Sequence, residues 1–124
     1  MTPYAAAQQA YRDSAVLTAT PAQLVVMLYD GAHRFLTQAA FAMRADDLST
    51  CNEKLRRGEA IIAELRSTLD MSAGEIAERL EAIYAFSQRY LMEARLKRDP
   101  ERIEQVIKLL SELRSAWGDI AGRS

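Results

Sequence analysis

Apolar residues recur at three- and four-residue intervals along most of the chain. Leu24, Val25, Leu28, Tyr29, Ala32, Phe35, Leu36, Ala39 and Met43 form the first such set. Placed at about 100° per residue, they fill one arc of nearly half a helix circumference. That arc is wider than a two-helix seam requires, so this helix is expected to touch two or three neighbours. Thr20-Pro21 supplies a side-chain cap followed by proline at the first helical position. The helix is expected to run to about Arg44, with "ADDL" making the turn.

Thr50 with Glu53 is a capping-box pattern for a second helix, in which Cys51, Leu55, Gly58, Ile62, Leu65 and Leu69 alternate at four and three residues. Ser72 with Glu75 offers another such box for a third. Behind it Ile76, Leu80, Ile83, Ser87, Tyr90 and Ala94 keep heptad spacing, with Tyr84 and Leu91 beside them. Asp99-Pro100 repeats the cap-plus-proline device ahead of Ile103, Val106, Ile107, Leu110, Leu113 and Trp117, and Gly118 is placed to stop this fourth helix. No alternating strand pattern competes with these assignments. The expected fold is all-α, an antiparallel four-helix bundle over residues 20–118 with helices at 20–44, 50–69, 72–97 and 99–117. The heptad spacing favours shallow crossings of roughly 20°. Residues 1–19 form a short, flexible or helical N-terminal arm, too short to be a stable helix alone, and residues 119–124 a C-terminal tail.

Several apolar residues fall outside these stripes. Val26, Met27 and Phe41 lie among the polar positions of the first helix, and Phe86, Met92 and Leu96 lie away from the stripe of the third. Single exposed apolar groups are ordinary on any protein surface. Two helices that both carry them suggest a shared interaction surface. An amphipathic helix of another chain, laid in a groove between helices, would use such a surface, and Met27 and Met92 suit one that must adapt to its partner. Tyr4, Tyr11, Val16 and Leu17 would let the N-terminal arm cover the same surface when no partner is bound.

Composition narrows the chemistry. With 124 residues the chain is long enough for one domain with its own core, and its net charge of −1 argues against nucleic acid, which requires a concentrated basic face. No apolar run approaches the ~20 residues needed to cross a bilayer, and "MTPYAAAQQAYRDS" is not a secretory leader. A single cysteine fits a reducing compartment, so the expectation is a cytoplasmic protein without membrane insertion. Asp30 and His33 are spaced like half of a di-iron motif, yet one histidine in the whole chain cannot supply the second half. Both also project onto the polar side of the first helix. Cys51 begins an apolar stripe and reads as a small buried hydrophobe, and no glycine-rich phosphate loop is present. The expectation is therefore no enzyme, no metal and no cofactor.

The stretch "LTATPAQLVVMLYDGAHRFL" closely resembles the signature of the FliS family of flagellar export chaperones, in which a Thr/Ser-Ala-Ser/Thr-Pro turn leads into Leu-x-x-Met-Leu-Tyr/Phe-Asp-Gly-Ala. Leu24, Met27, Leu28, Tyr29, Asp30, Gly31 and Ala32 match it. "GEIAERLEAIYAF" and "IEQVIKLLSELRSAW" resemble the family's later blocks, and Tyr11 and Val16 its N-terminal arm; Ala73 stands where the family often has a second glycine. The resemblance implies a bundle in the bacterial cytoplasm that holds the disordered C-terminal segment of flagellin. It further implies that the protein prevents premature polymerisation and helps deliver flagellin to the export gate, with other flagellar proteins as further partners and no ATP or other cofactor. The candidate residues for the flagellin groove or its N-terminal cover are Tyr11, Val16, Leu17, Val26, Met27, Phe41, Phe86, Met92 and Leu96. A self-associating helical scaffold is the alternative, and the oligomeric state is left open between monomer and weak homodimer.

Overall fold

The computed structural model describes Ala6 and residues 19–122. Four helices follow one another: α1 (Pro21–Arg44), α2 (Leu48–Ser67), α3 (Glu75–Lys97) and α4 (Pro100–Gly122), with a 3₁₀ turn at Met71–Ala73. Among the described residues there is no strand. The connections are so short that each helix reverses the direction of the one before it.

The first helix starts where the sequence places its cap. Thr20 Oγ1 accepts from the Gln23 backbone N–H at 3.2 Å, and Gln23 Oε1 accepts from the Thr20 N–H at 2.9 Å. The second start differs from expectation, because α2 begins at Leu48 and its cap is Asp47 rather than Thr50. Asp47 Oδ1 accepts from the Thr50 N–H at 3.2 Å, and those hydrogen bonds hold its carboxyl below the usual range. An ionised carboxylate at a helix N-terminus is the stronger acceptor. Ser72 likewise does not cap the third helix. It donates its own N–H to Asp70 Oδ1 at 3.0 Å inside the 3₁₀ turn, and Gly74, at φ +79°, then lets the chain turn into α3 without a side-chain cap. Gly118 does not end α4, which continues to Gly122.

Packing is uneven. Helix α1 lies broadly against both α2 and α4, while α3 closes the square against α2 and α4, so α1 and α3 stand at opposite corners. The broad contact of α1 rests on small residues: Gly31, Ala32, Ala39, Ala40 and Ala42 are all buried. On α2, Gly58 faces Leu36 so closely that an added Cβ would lie 2.6 Å from its Cδ2 and 3.0 Å from its Cγ. Cys51, Leu55, Ile62 and Leu65 from α2 and Ile103, Val106 and Leu110 from α4 fill the interior as their stripes foretell.

Helix α3 is rotated from its expected setting. Ala77, Tyr84, Ser87, Leu91 and Ala94 are its buried residues, whereas Ile76 is 71% exposed. The apolar residues of α3 run nearly round the helix, and the small ones mark the side that the neighbours can approach. Leu24, expected in the α1 arc, is also exposed. Across the core diagonal the Tyr29 and Tyr84 hydroxyls hydrogen-bond to each other. Burial pushes both above the ordinary tyrosine range, so the pair stays neutral. Ser87 is satisfied by donating to the Ile83 carbonyl at 2.9 Å.

The Gly58 contact carries a direct test. Gly58→Val is expected to destabilise the bundle by about 1–3 kcal/mol through overpacking against Leu36. Urea denaturation against the parent reads this cost, and because valine is a better helix former than glycine, propensity alone would raise the midpoint. An unchanged or raised midpoint would mean that α1 and α2 are not held in close approach.

Candidate functional site

Among the described residues, three of the four seams between neighbouring helices are bridged by ion pairs. Between α2 and α3, Arg66 Nε lies 2.8 and 2.9 Å from the two Glu81 carboxylate oxygens, Arg66 Nη1 donates to Gln88 at 2.6 Å, and Arg95 pairs with Glu59. Arg102 of α4 pairs with Glu93 of α3 and lies over the Tyr90 ring, 4.9 Å from its centroid. Between α1 and α4, Arg114 Nε lies 3.0 Å from Asp30, and Arg44 pairs with Glu104. His33 opens onto the cleft beside the Asp30–Arg114 pair. Among the described residues no group of three His, Cys, Asp or Glu side chains is placed to hold a metal ion. Cys51 is buried, and burial pushes its thiol up, away from the reactive thiolate.

The notable surface is apolar. Phe41 and Leu96 are each 77% exposed, Met92 is 57% exposed, and Met27 and Phe86 are exposed as well. Val26 is only half-buried. Met27 and Phe41 are two heptads apart and share the outward face of α1. Met92 and Leu96, four residues apart, share a line on α3. Phe86 lies on another side of that helix, its ring 4.9 Å from that of Tyr90 and so near α4. Because α1 and α3 occupy opposite corners, the two sets do not meet in one groove. Tyr11, Val16 and Leu17 lie outside the described residues.

Sequence reasoning missed two further features. The first is an apolar cleft of about 260 Å³ at the end of the bundle where α1 and α3 begin, lined by Val25, Leu65, Leu69, Leu80 and Trp117 with Ile76 among them. Ile76 has the heptad spacing of a core residue, and that spacing hides this cleft in the sequence. The second is a group of cations around Phe35: Arg34, Lys54 and Arg57 lie 5.0, 5.7 and 5.6 Å from its ring centroid. Their spacing along two helices was visible, but their meeting required the pairing of α1 with α2. No helix among the described residues is long and apolar enough to cross a membrane.

The Arg66 guanidinium beside Glu81 holds its carboxyl below the usual carboxylate range. A group depressed in the folded state contributes stability above its ordinary titration range and loses it as pH falls through the lowered value. Glu81→Gln is therefore expected to melt with less dependence on acid than the parent between about pH 6 and pH 3. Parallel pH profiles of melting temperature would show that the α2–α3 bridge contributes nothing.

Comparison with known proteins agrees with this architecture. The family model described as "Flagellar protein FliS" matches residues 3–124. The flagellar secretion chaperone FliS of Bacillus subtilis (strain 168) is 36% identical over 108 residues, covering 87% of this chain and 80% of the relative. That of Salmonella typhimurium is 37% identical over 114 residues, covering 90% and 84%. A solved structure titled as a flagellar chaperone from bacteria superposes with a TM-score of 0.77 at 17% identity, covering 98% of this chain and all of that one, which supports the fold. The chain belongs to the FliS family of flagellar secretion chaperones.

Proposed function

We propose that the protein is a cytoplasmic flagellar secretion chaperone that binds the disordered C-terminal segment of flagellin, keeps it from polymerising early and assists its delivery to the export apparatus. One observation carries this reading beyond family membership. The core is already filled, yet Phe41, Met92 and Leu96 remain on outward faces. An unfolded tail with an amphipathic pattern is a suitable occupant. It gains apolar contact that offsets the entropy lost on ordering. Since the faces of α1 and α3 point away from each other, a single tail serving both would run over more than one side of the bundle.

The N-terminal arm, with Tyr11, Val16 and Leu17, has a place in the same scheme as a cover for these outward apolar faces when no partner is bound. Seated on an apolar face, it would leave only the displaced population able to bind and so lower the apparent affinity.

Calorimetric titration with the last few dozen residues of the cognate flagellin tests the central reading, which expects saturable binding with a negative heat-capacity change. Phe41→Asp and Phe86→Asp are each expected to weaken that binding while circular dichroism stays unchanged. Normal binding by both variants would place the tail on other faces. A protein that stays dimeric in light scattering and ignores the tail would instead be a self-associating scaffold. Deleting residues 1–16 is expected to raise both the affinity for the tail and the binding of an apolar dye. Unchanged values of both would remove the arm from a covering role.

A further inference from the structure

The α1–α2 seam differs from the other three. Among the described residues no ion pair joins α1 to α2, and the seam brings together cations from both sides. Arg57 pairs with Glu53 at 3.4 Å, while Arg34 and Lys54 have no carboxylate within ion-pair distance among the described residues. All three surround the half-buried Phe35 ring. In a chain of net charge −1, this is a local surplus of positive charge: three cations stand here against the single Glu53 carboxylate.

The seam continues from these cations into an open apolar pocket of about 450 Å³ beside Phe41, walled by Gln38, Ala42 and Lys54. Its far end is Asp47, seven residues before Lys54 and so roughly 10 Å along the helix axis. Asp47 is kept ionised by its capping hydrogen bonds. The surface therefore reads cation, apolar, anion along one line.

We propose that this seam docks an acidic amphipathic segment of another chain, its carboxylates held by Arg34, Lys54 and Arg57 and its apolar side chains lodged beside Phe41. The proposal rests on the reading of these outward faces as seats for a foreign segment, and it adds the charge and direction of the occupant. A carboxylate is the counter-charge that the seam lacks, and charge complementarity fixes which end of the segment lies over Phe35. Anionic lipid and nucleic acid fit less well, because both present rows of negative charge that would meet Asp47.

The test uses the full chain and three fluorescein-labelled helical peptides of about four turns. Each carries the same Leu/Phe stripe, with glutamates, glutamines or lysines clustered at one end. Fluorescence anisotropy is expected to rank the glutamate peptide about tenfold tighter than the glutamine one, with the lysine peptide weakest and the differences shrinking as salt is added. Arg34→Glu with Lys54→Glu is expected to invert the order. Arg34→Gln with Lys54→Gln is expected to abolish the preference, and it keeps the test decisive if the reversed variant does not fold. Equal binding of the three peptides, no binding of any, or tighter binding to phosphatidylserine vesicles than to the glutamate peptide would overturn the proposal. The flagellin tail, titrated separately, decides the chaperone reading, and the peptide order alone decides this one.

Discussion

The close seating of α1 against α2 and α4 is the constraint from which the rest of the structure follows. Gly31, Ala32, Ala39, Ala40 and Ala42 bury little volume, and Gly58 leaves room for Leu36 alone. A helix packed so closely fills its inward arc with small groups, and its larger side chains divide between a few interior anchors and the outside. Tyr29, Leu36 and Met43 are the anchors, and Phe41 and Met27 remain outside. The apolar surface of α1 is thus compatible with a complete core, because nothing inside is missing the side chains that stand outside.

Fixing the four corners also fixes what each surface can do. Ion pairs span the α2–α3, α3–α4 and α4–α1 seams, so those helices are tied edge to edge. The fourth seam has small-residue packing beneath and cations above. Exposed pairs of this kind contribute modestly to stability. Their greater consequence is to settle which charges are already answered within the fold and which still face solvent.

Much of this was legible along the chain. Proline after a capping residue marked the starts of α1 and α4, and the α2 stripe from Cys51 to Leu65 is buried throughout. The rotation of α3 was not legible, because apolar residues at Ile76, Leu80, Ile83, Phe86, Leu91 and Leu96 leave no polar side to orient it. Its setting is decided by where Ala77, Ser87 and Ala94 admit neighbours. The α2 cap was not legible because Asp46, Asp47, Ser49 and Thr50 all carry capping side chains, and the choice followed the turn: Asp46 sits at φ +59°, and Asp47 is the residue whose side chain reaches the Thr50 N–H. Among candidate site residues, Met27, Phe41, Phe86, Met92 and Leu96 were identifiable one by one as outward, whereas Val26 is half-buried. That they stand on opposite corners depends on which helix packs against which, and a periodicity contains no such information. Phe35 falls in the inward arc by periodicity for the same reason, and only the pairing of α1 with α2 brings cations to its ring.

The methionines provide the most direct measurement of the central claim, that apolar faces outside a finished interior receive the partner. Met27 and Met92 stand on the outward faces of α1 and α3, and Met43 is buried in the core. Methyl NMR spectra of the protein labelled at methionine, recorded as the flagellin C-terminal segment is added, report on all three at once. The account predicts that the Met27 and Met92 resonances move while Met43 stays in place. A shift of Met43 with the outer two unmoved would mean that the tail enters the core, and would contradict it.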